Sequence, residues 1–487
     1  MISFLLAAAI STSSLYYTLD PTSISENLAF YELYPQTSDG KKALERAWKL
    51  LAPEEDIKDI TLPTLDIQAI ISLVTKQSFQ TTVQLKDEQL DLIEKISIKL
   101  ANRKLKGASV WTLDEVIPLP SEEIDVARAL LIGQLANKNE IRNYEASLDL
   151  MSLQIQARLP KNATHKQKIK EITRYIFQEM QFRFPPHSLH AQDIDLYTFL
   201  PSVLDGRQGV CLGVSILYLS LAQRLDVPLE IITPPGHIYV RYNEELNIET
   251  TARGIHLPSE VYLGVNTRKL QQRNIKEVVG LAFVNQASVF WGKEDYAMCV
   301  SLYEKALPFF SEDPLIKFFL GLNYLFTKRY AEGRELLEQI KGITFDYAVS
   351  PETIPEDFLA GRVDIEGLKA IFATVDETRD SILKKQEQLE KILHRCPQFR
   401  AGLLQLAVTH LQLGRTNEAQ KILEKYNYID PEDATVAYYL AMLNVERHDY
   451  PKAWIHLKKA EALTSLRCHH PKALKGVKDF LKRTCPE

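Results

Sequence analysis

"GVCLGVSILYLSLAQRL", Gly209 to Leu225, sets one cysteine just ahead of a long apolar run. Val214, Leu217, Tyr218, Leu221 and Leu225 recur at helical spacing and predict a helix buried along one stripe, with Cys211 in its first turn at the exposed tip. Such a cysteine has two readings. It packs as a small apolar residue, or it is a nucleophile whose thiolate is favoured by the partial positive charge and free N–H groups of a helix start. The choice depends on what the next residues bring to it.

Beyond this run, "LEIIT" (Leu229–Thr233), "HIYVRY" (His237–Tyr242) and "LNIETT" (Leu246–Thr251) are short and rich in β-branched and aromatic residues, and read as strands. A buried helix on a small antiparallel sheet is an α+β domain. Cysteine chemistry needs a base and a group that orients the base. His237 opens the second strand and Glu249 lies in the third. A one-residue hairpin connection sets the two directly opposite, and a three-residue connection makes them diagonal neighbours on one face. A two-residue connection puts Thr250 opposite His237 and turns Glu249 away. Each residue also has a structural reading: a packed thiol, a partly buried imidazole, a surface acid. Gly209 and Gly213 are expected to let a substrate backbone approach, and the first N–H groups of the helix to hold an oxyanion. Gln208 is an oxyanion donor or a loop residue, and Asp205 is a further polar neighbour. Arg241 binds a substrate carboxylate or pairs with Glu249, which would compete with His237 for the acid.

"LPSVLDGRQGVC", the Leu-rich helix, "PPGHIYVRY" and "LNIETTARG" together resemble the transglutaminase-like superfamily, and within it the SirB1-like branch. The resemblance covers roughly 125–270. It implies a papain-like cysteine domain in which Cys211 corresponds to the nucleophile, His237 to the general base and Glu249 to the orienting acid. That acid is usually Asp, so the chain departs there by one methylene. Members of the branch carry tetratricopeptide repeats after this domain.

A 34-residue period is present from about 278 onward. Leu406 and Leu440, Ala407 and Ala441, and Ala419 and Ala453 are so related, and Pro431 follows Ala419 by twelve. Upstream, Tyr296–Ala297 recurs as Tyr330–Ala331, and Ala287 as Gly321. A helix–turn–helix unit of this length with small residues where helices cross resembles the tetratricopeptide repeat, an array that presents a surface to a protein or peptide. "TRDSILKKQEQLEKILHRCP" follows an irregular stretch between the two pairs.

The 487-residue chain, 45% hydrophobic and 25% charged, has the composition of a globular protein of two to four domains. A net charge of −5 gives no footprint for nucleic acid. Lys472, Lys475, Lys478, Lys482 and Arg483 read as the solvated face of a closing helix. Five cysteines without a CxxC pair form neither a disulfide framework nor a zinc knuckle. "HSLH" (187–190) and "CHHP" (468–471) are weak metal motifs, and no cofactor is expected. Ile2–Ile10 has the length of a signal-peptide apolar region but no preceding Lys or Arg, so export and a cytoplasmic apolar helix both stand. No stretch is long enough to span a bilayer.

The expected organisation is an apolar N-terminus (1–20), a helical accessory region (21–120), a transglutaminase-like domain (121–277) and a repeat array (278–487). Within the accessory region helices are expected over 40–51 and 87–105, and Ser121 is expected to open the domain as a helix cap. The expected function is cysteine acyl transfer or amide hydrolysis, with water or an amine as acceptor. The rival is an inactive scaffold.

Overall fold

The computed structural model describes residues 12–52, 84–185, 198–310, 312–373, 375 and 378–486. The Ile2–Ile10 run and His187–His190 lie outside the described residues.

The run that opens at Cys211 is a helix, Cys211–Arg224, and every residue from Leu212 to Ala222 is buried. It is apolar all round rather than along one stripe, which is the pattern of a helix enclosed on every side. The helices Val126–Gln134 and Lys138–Ala157, the strand Tyr239–Tyr242 and the turn Thr250–Ala252 surround it. Lys138–Ala157 is not evident in the sequence, because buried polar residues interrupt its apolar period. Glu145 accepts two bonds of 2.6 Å from Arg128, and Asp149 accepts from Arg224 at 2.7 Å and from Arg103.

Two expected boundaries move. Ser121 begins only a short 3-10 turn, and the cap is Asp125, which accepts from the N–H of Arg128 at 3.1 Å. The helix expected over 87–105 spans Asp87–Ile96 and gives way to 3-10 turns. There Asn102 donates to Asp125 and Arg103 reaches Asp149, so buried polar partners set the backbone path.

Four antiparallel strands follow: β1 (Glu230–Thr233), β2 (Tyr239–Tyr242), β3 (Leu246–Ile248) and β4 (Gln271–Arg273), in the order β3-β2-β1-β4. The strands are shorter than expected, so His237 precedes β2 and Glu249 follows β3. The polar "QQR" of β4 carries no strand pattern; its pairing to β1 creates it.

Among the described residues the helical array pairs Ile275–Gly292 with Tyr296–Ala306 and Pro314–Phe326 with Tyr330–Gln339. It then pairs Arg400–Gln412 with Thr416–Ile429 and Ala434–Glu446 with Tyr450–Ser465. The 34-residue positions Ala287, Ala407, Ala419, Leu440, Ala441 and Ala453 are all fully buried. A Cβ on Gly333 would lie 2.8 Å from the carbonyl oxygen of Gly321, which shows why small residues recur where helices cross. The closing helix Lys472–Thr484 buries Leu474, Val477 and Leu481 and turns its lysines outward, with Lys478 paired to Glu461.

One apolar core runs from Val116 to Leu320, so the sheet-bearing unit and the first repeat helices share their interior. The far end of the array returns to the same unit. His469 Nε2 lies 2.7 Å from the carbonyl oxygen of Gly264, and Val265 packs with Val349 and Ala434.

Candidate functional site

Cys211 is the first residue of its helix and is partly exposed. The preceding Val210 has no side-chain acceptor to cap the helix, so the first amides are not claimed by a capping side chain. Gly209 serves packing: a Cβ there would lie 2.6 Å from Val214 Cγ2.

The connection between β2 and β3 is Asn243–Glu245. Val240 pairs with Ile248 and Tyr242 with Leu246. This three-residue register makes His237 and Glu249 diagonal neighbours, and His237 Nε2 lies 2.7 Å from Glu249 Oε2. Glu249 is 2% exposed. The chain then folds back tightly: the N–H of Gly254 donates to the Glu249 carbonyl at 2.8 Å, and that of Glu249 to Ile255 at 2.9 Å. Gly254 has φ +81° and faces Thr173 at 2.6 Å, so the turn takes glycine on both counts.

Cys211 lines the same space as the His237 ring and lies near enough to shift its titration. With Nε2 held by Glu249, Nδ1 is the ring nitrogen left for the thiol. Burial pulls the His237 pKa down, but the neighbouring Cys211 and the Glu249 carboxylate bonded to the ring outweigh it. The imidazole is raised to about 9 and is protonated at neutral pH.

Arg241 does not compete for Glu249. It stands opposite Glu230 on β1 and donates to it at 2.9 Å. Asp205 accepts from the Tyr144 hydroxyl at 2.8 Å. Gln208 is buried, and its backbone pairs with Arg183. Two residues that sequence reasoning missed join the cluster. The Tyr262 hydroxyl donates to Glu249 Oε1, and its ring stacks on His237 with centroids 5.5 Å apart. Burial first, then the Glu249 bond, raises the Tyr262 pKa well above the usual phenol range, so the hydroxyl stays a donor. Thr250 Oγ1 lies 3.0 Å from Ser215 Oγ and ties the Glu249 turn to the helix of Cys211. No local pattern marks either residue, since both act through contacts made by folding.

Among the described residues no cluster of three or more His, Cys, Asp or Glu side chains could hold a metal ion. Nor is any helix there long and apolar enough to cross a membrane.

A buried helix on a small antiparallel sheet, continuous with helix hairpins, defines an α+β domain joined to a helical repeat array. The chain carries a transglutaminase-like domain followed by tetratricopeptide repeats: residues 142–278 match the transglutaminase-like superfamily, and 402–433 match a tetratricopeptide repeat. No curated protein matches the chain. Solved structures similar to it include a TPR protein with an unusual peptide-binding site, YrrB. It is 15% identical, spans 41% of this chain and 92% of its own, and has a TM-score of 0.22. A thermophilic TPR protein of Thermus thermophilus is 16% identical over 42% of this chain and 97% of its own, TM-score 0.21. MamA is 19% identical over 38% and 95%, TM-score 0.19.

Proposed function

We propose that Cys211, His237 and Glu249 form a cysteine acyl-transfer or amide-hydrolase centre, coupled to a repeat array that binds a protein or peptide. The observation that carries this reading is the bond of 2.7 Å from His237 to the buried Glu249, on a ring that shares one cavity lining with Cys211 at its helix start. The order of domains also supports placement in the SirB1-like branch.

In this mechanism His237 holds the thiol proton, and the thiolate attacks the carbonyl carbon of an amide or ester, forming a C–S bond. The developing oxyanion is held by N–H groups at the helix start. The tetrahedral species collapses, the bond to the leaving group breaks, and imidazolium Nδ1 protonates that group. Water or an amine, deprotonated by His237, then attacks the thioester and releases Cys211. Glu249 fixes the ring tautomer, and Tyr262 fixes Glu249.

Iodoacetamide at neutral pH tests the centre. Cys211 is expected to react at least tenfold faster than Cys299 or Cys396, as mapped by peptide mass spectrometry. Cys299 is fully buried, donates to the carbonyl of Ala287, and has a pKa pushed up to about 12 by burial, so it is a slow internal reference. Equal, slow alkylation of all thiols would overturn the reading.

The imidazole titration gives a second expectation. The His237 ring resonance, assigned by its loss in His237→Gln, is expected to titrate with a midpoint near 9, and Glu249→Gln to bring it toward the ordinary 6.5. A midpoint near 6.5 in the unaltered protein would rule out the ion pair. Because the folded pKa is raised, the proton's contribution to stability is full below about 6.5 and is lost as pH rises through about 9.

Tyr262→Phe keeps the stacked ring and removes the donor to Glu249. Acylation of Cys211 is expected to slow by about tenfold, the scale of a hydrogen bond to a charged group worth ~1.5 kcal/mol. Burst kinetics with an activated ester would measure it, and an unchanged burst rate would remove Tyr262 from the mechanism.

A further inference from the structure

A cavity of about 470 Å³ opens beside the candidate centre. Cys211, His237 and the Pro234–Gly236 turn form one end. The facing wall belongs to the repeat array: Leu281, Val284 and Trp291 from its first helix, then Tyr303, Phe319 and Phe372. The transglutaminase-like domain and the repeats therefore build this space together, and neither encloses it alone.

The wall is a connected aromatic surface. Trp291 meets Phe319 and Phe372 edge-on, with centroids 5.9 and 5.2 Å away, and Tyr303 stacks on Phe319 at 6.1 Å. Trp291, Phe319 and Phe372 are only partly buried, so they keep apolar surface toward the cavity. Apart from His237, Arg273 is the charged side chain on the lining among the described residues, and its charge is answered by Asp313 at 2.6 Å. The cavity thus offers apolar area and little net charge, conditions that desolvate an apolar group and penalise an ionised one. Its volume lies within the roughly 300–1,000 Å³ of ordinary ligand sites. Gln271, whose Oε1 accepts from Arg273, adds its amide N–H groups to the lining, and Asn285, whose Nδ2 donates to Thr198, adds its side-chain carbonyl. Such groups can read a peptide backbone, whereas an alkyl chain has nothing to offer them.

Resting on the cysteine centre proposed above, we infer that the substrate is a peptide or protein segment with a bulky aromatic or aliphatic side chain next to the reacting carbonyl. That side chain seats against Trp291 and Phe319, so the first repeats act as the specificity pocket of the neighbouring domain.

Full-length protein is treated with chloromethyl ketones sharing one warhead: acetyl-Phe, acetyl-Gly, acetyl-Asp and an unbranched nonanoyl analogue. In each case the thiolate forms a C–S bond to the methylene carbon and chloride leaves. Mass spectrometry gives the second-order rate at Cys211. The Phe probe is expected to exceed the Gly probe at least tenfold and the Asp probe by more. Ser288, an exposed residue on the cavity lining, is then changed by Ser288→Trp to occupy the space, with folding checked by the thermal transition. Within this variant the ratio of Phe-probe to iodoacetamide labelling is expected to fall at least tenfold. Rapid iodoacetamide labelling of Cys211 with equal Phe and Gly rates would overturn the pocket and leave the centre standing. A nonanoyl probe faster than the Phe probe would overturn the peptide assignment. Slow labelling of Cys211 by every reagent would remove the centre and the pocket together.

Discussion

His237→Ala is expected to abolish the preferential alkylation of Cys211 and to lower acyl turnover by a factor of about 10²–10⁴, the range for losing a positioned general acid–base group. The imidazole is bonded to Glu249 at 2.7 Å and lies beside the Cys211 thiol. Its protonated form, favoured up to about pH 9, is the counter-ion that the proposed mechanism places beside the attacking sulfur. Removing the ring also removes the proton donor for the leaving group, so the rate falls further than the loss of thiolate alone would cause. Iodoacetamide labelling at pH 7 isolates the first effect, because alkylation releases iodide and needs no proton donor. Turnover of an amide reads both. Selectivity for Cys211 that survives in His237→Ala would mean that the helix start alone activates the thiol, and His237 would lose its role.

Asp149→Ala is expected to be the most destabilising single change outside the site. Asp149 is fully buried and takes charge-assisted bonds from two arginines, Arg224 Nε at 2.7 Å and Arg103. The Arg224 side chain is itself fully buried. Deleting the carboxylate strands two guanidinium groups at the end of the Cys211 helix, where water cannot replace it. Removing one partner of a buried pair costs about 3–5 kcal/mol. Two stranded cations place this variant at or above the top of that range. The double change of Arg224 to Met with Asp149 to Leu should recover part of the loss, since apolar replacement removes the unpaired charges. Denaturant unfolding followed by fluorescence measures both. A loss below about 1 kcal/mol in Asp149→Ala would show that the helix end is solvated rather than dry.

Much of the architecture was legible in the chain. The unbroken apolar run after Cys211 specifies a buried helix, the β-branched clusters specify strands, and Ala and Gly at a 34-residue spacing specify stacked helix hairpins. The helix Lys138–Ala157 was not legible, because Glu145, Asp149 and Gln154 look like surface residues until the arginines and backbone groups that neutralise them are in place. Strand β4 was invisible for a related reason: "QQR" becomes a strand only by pairing with β1.

For the candidate site, the sequence by itself determined which groups are available and in what order: a thiol at a helix start, an imidazole opening one strand, an acid in the next. It could not choose the register, because a two-residue connection and a three-residue connection send Glu249 to opposite faces. Only the tertiary structure decided that the connection is Asn243–Glu245, that Arg241 is spent on Glu230, and that Tyr262 closes over His237 and Glu249. The cavity beside Cys211 is likewise a tertiary fact. Its two walls lie far apart in sequence, and one core from Val116 to Leu320 fixes the repeats against the sheet-bearing domain. Local sequence sets side-chain chemistry and backbone propensity, whereas distances between remote segments come from the packing that buries them together.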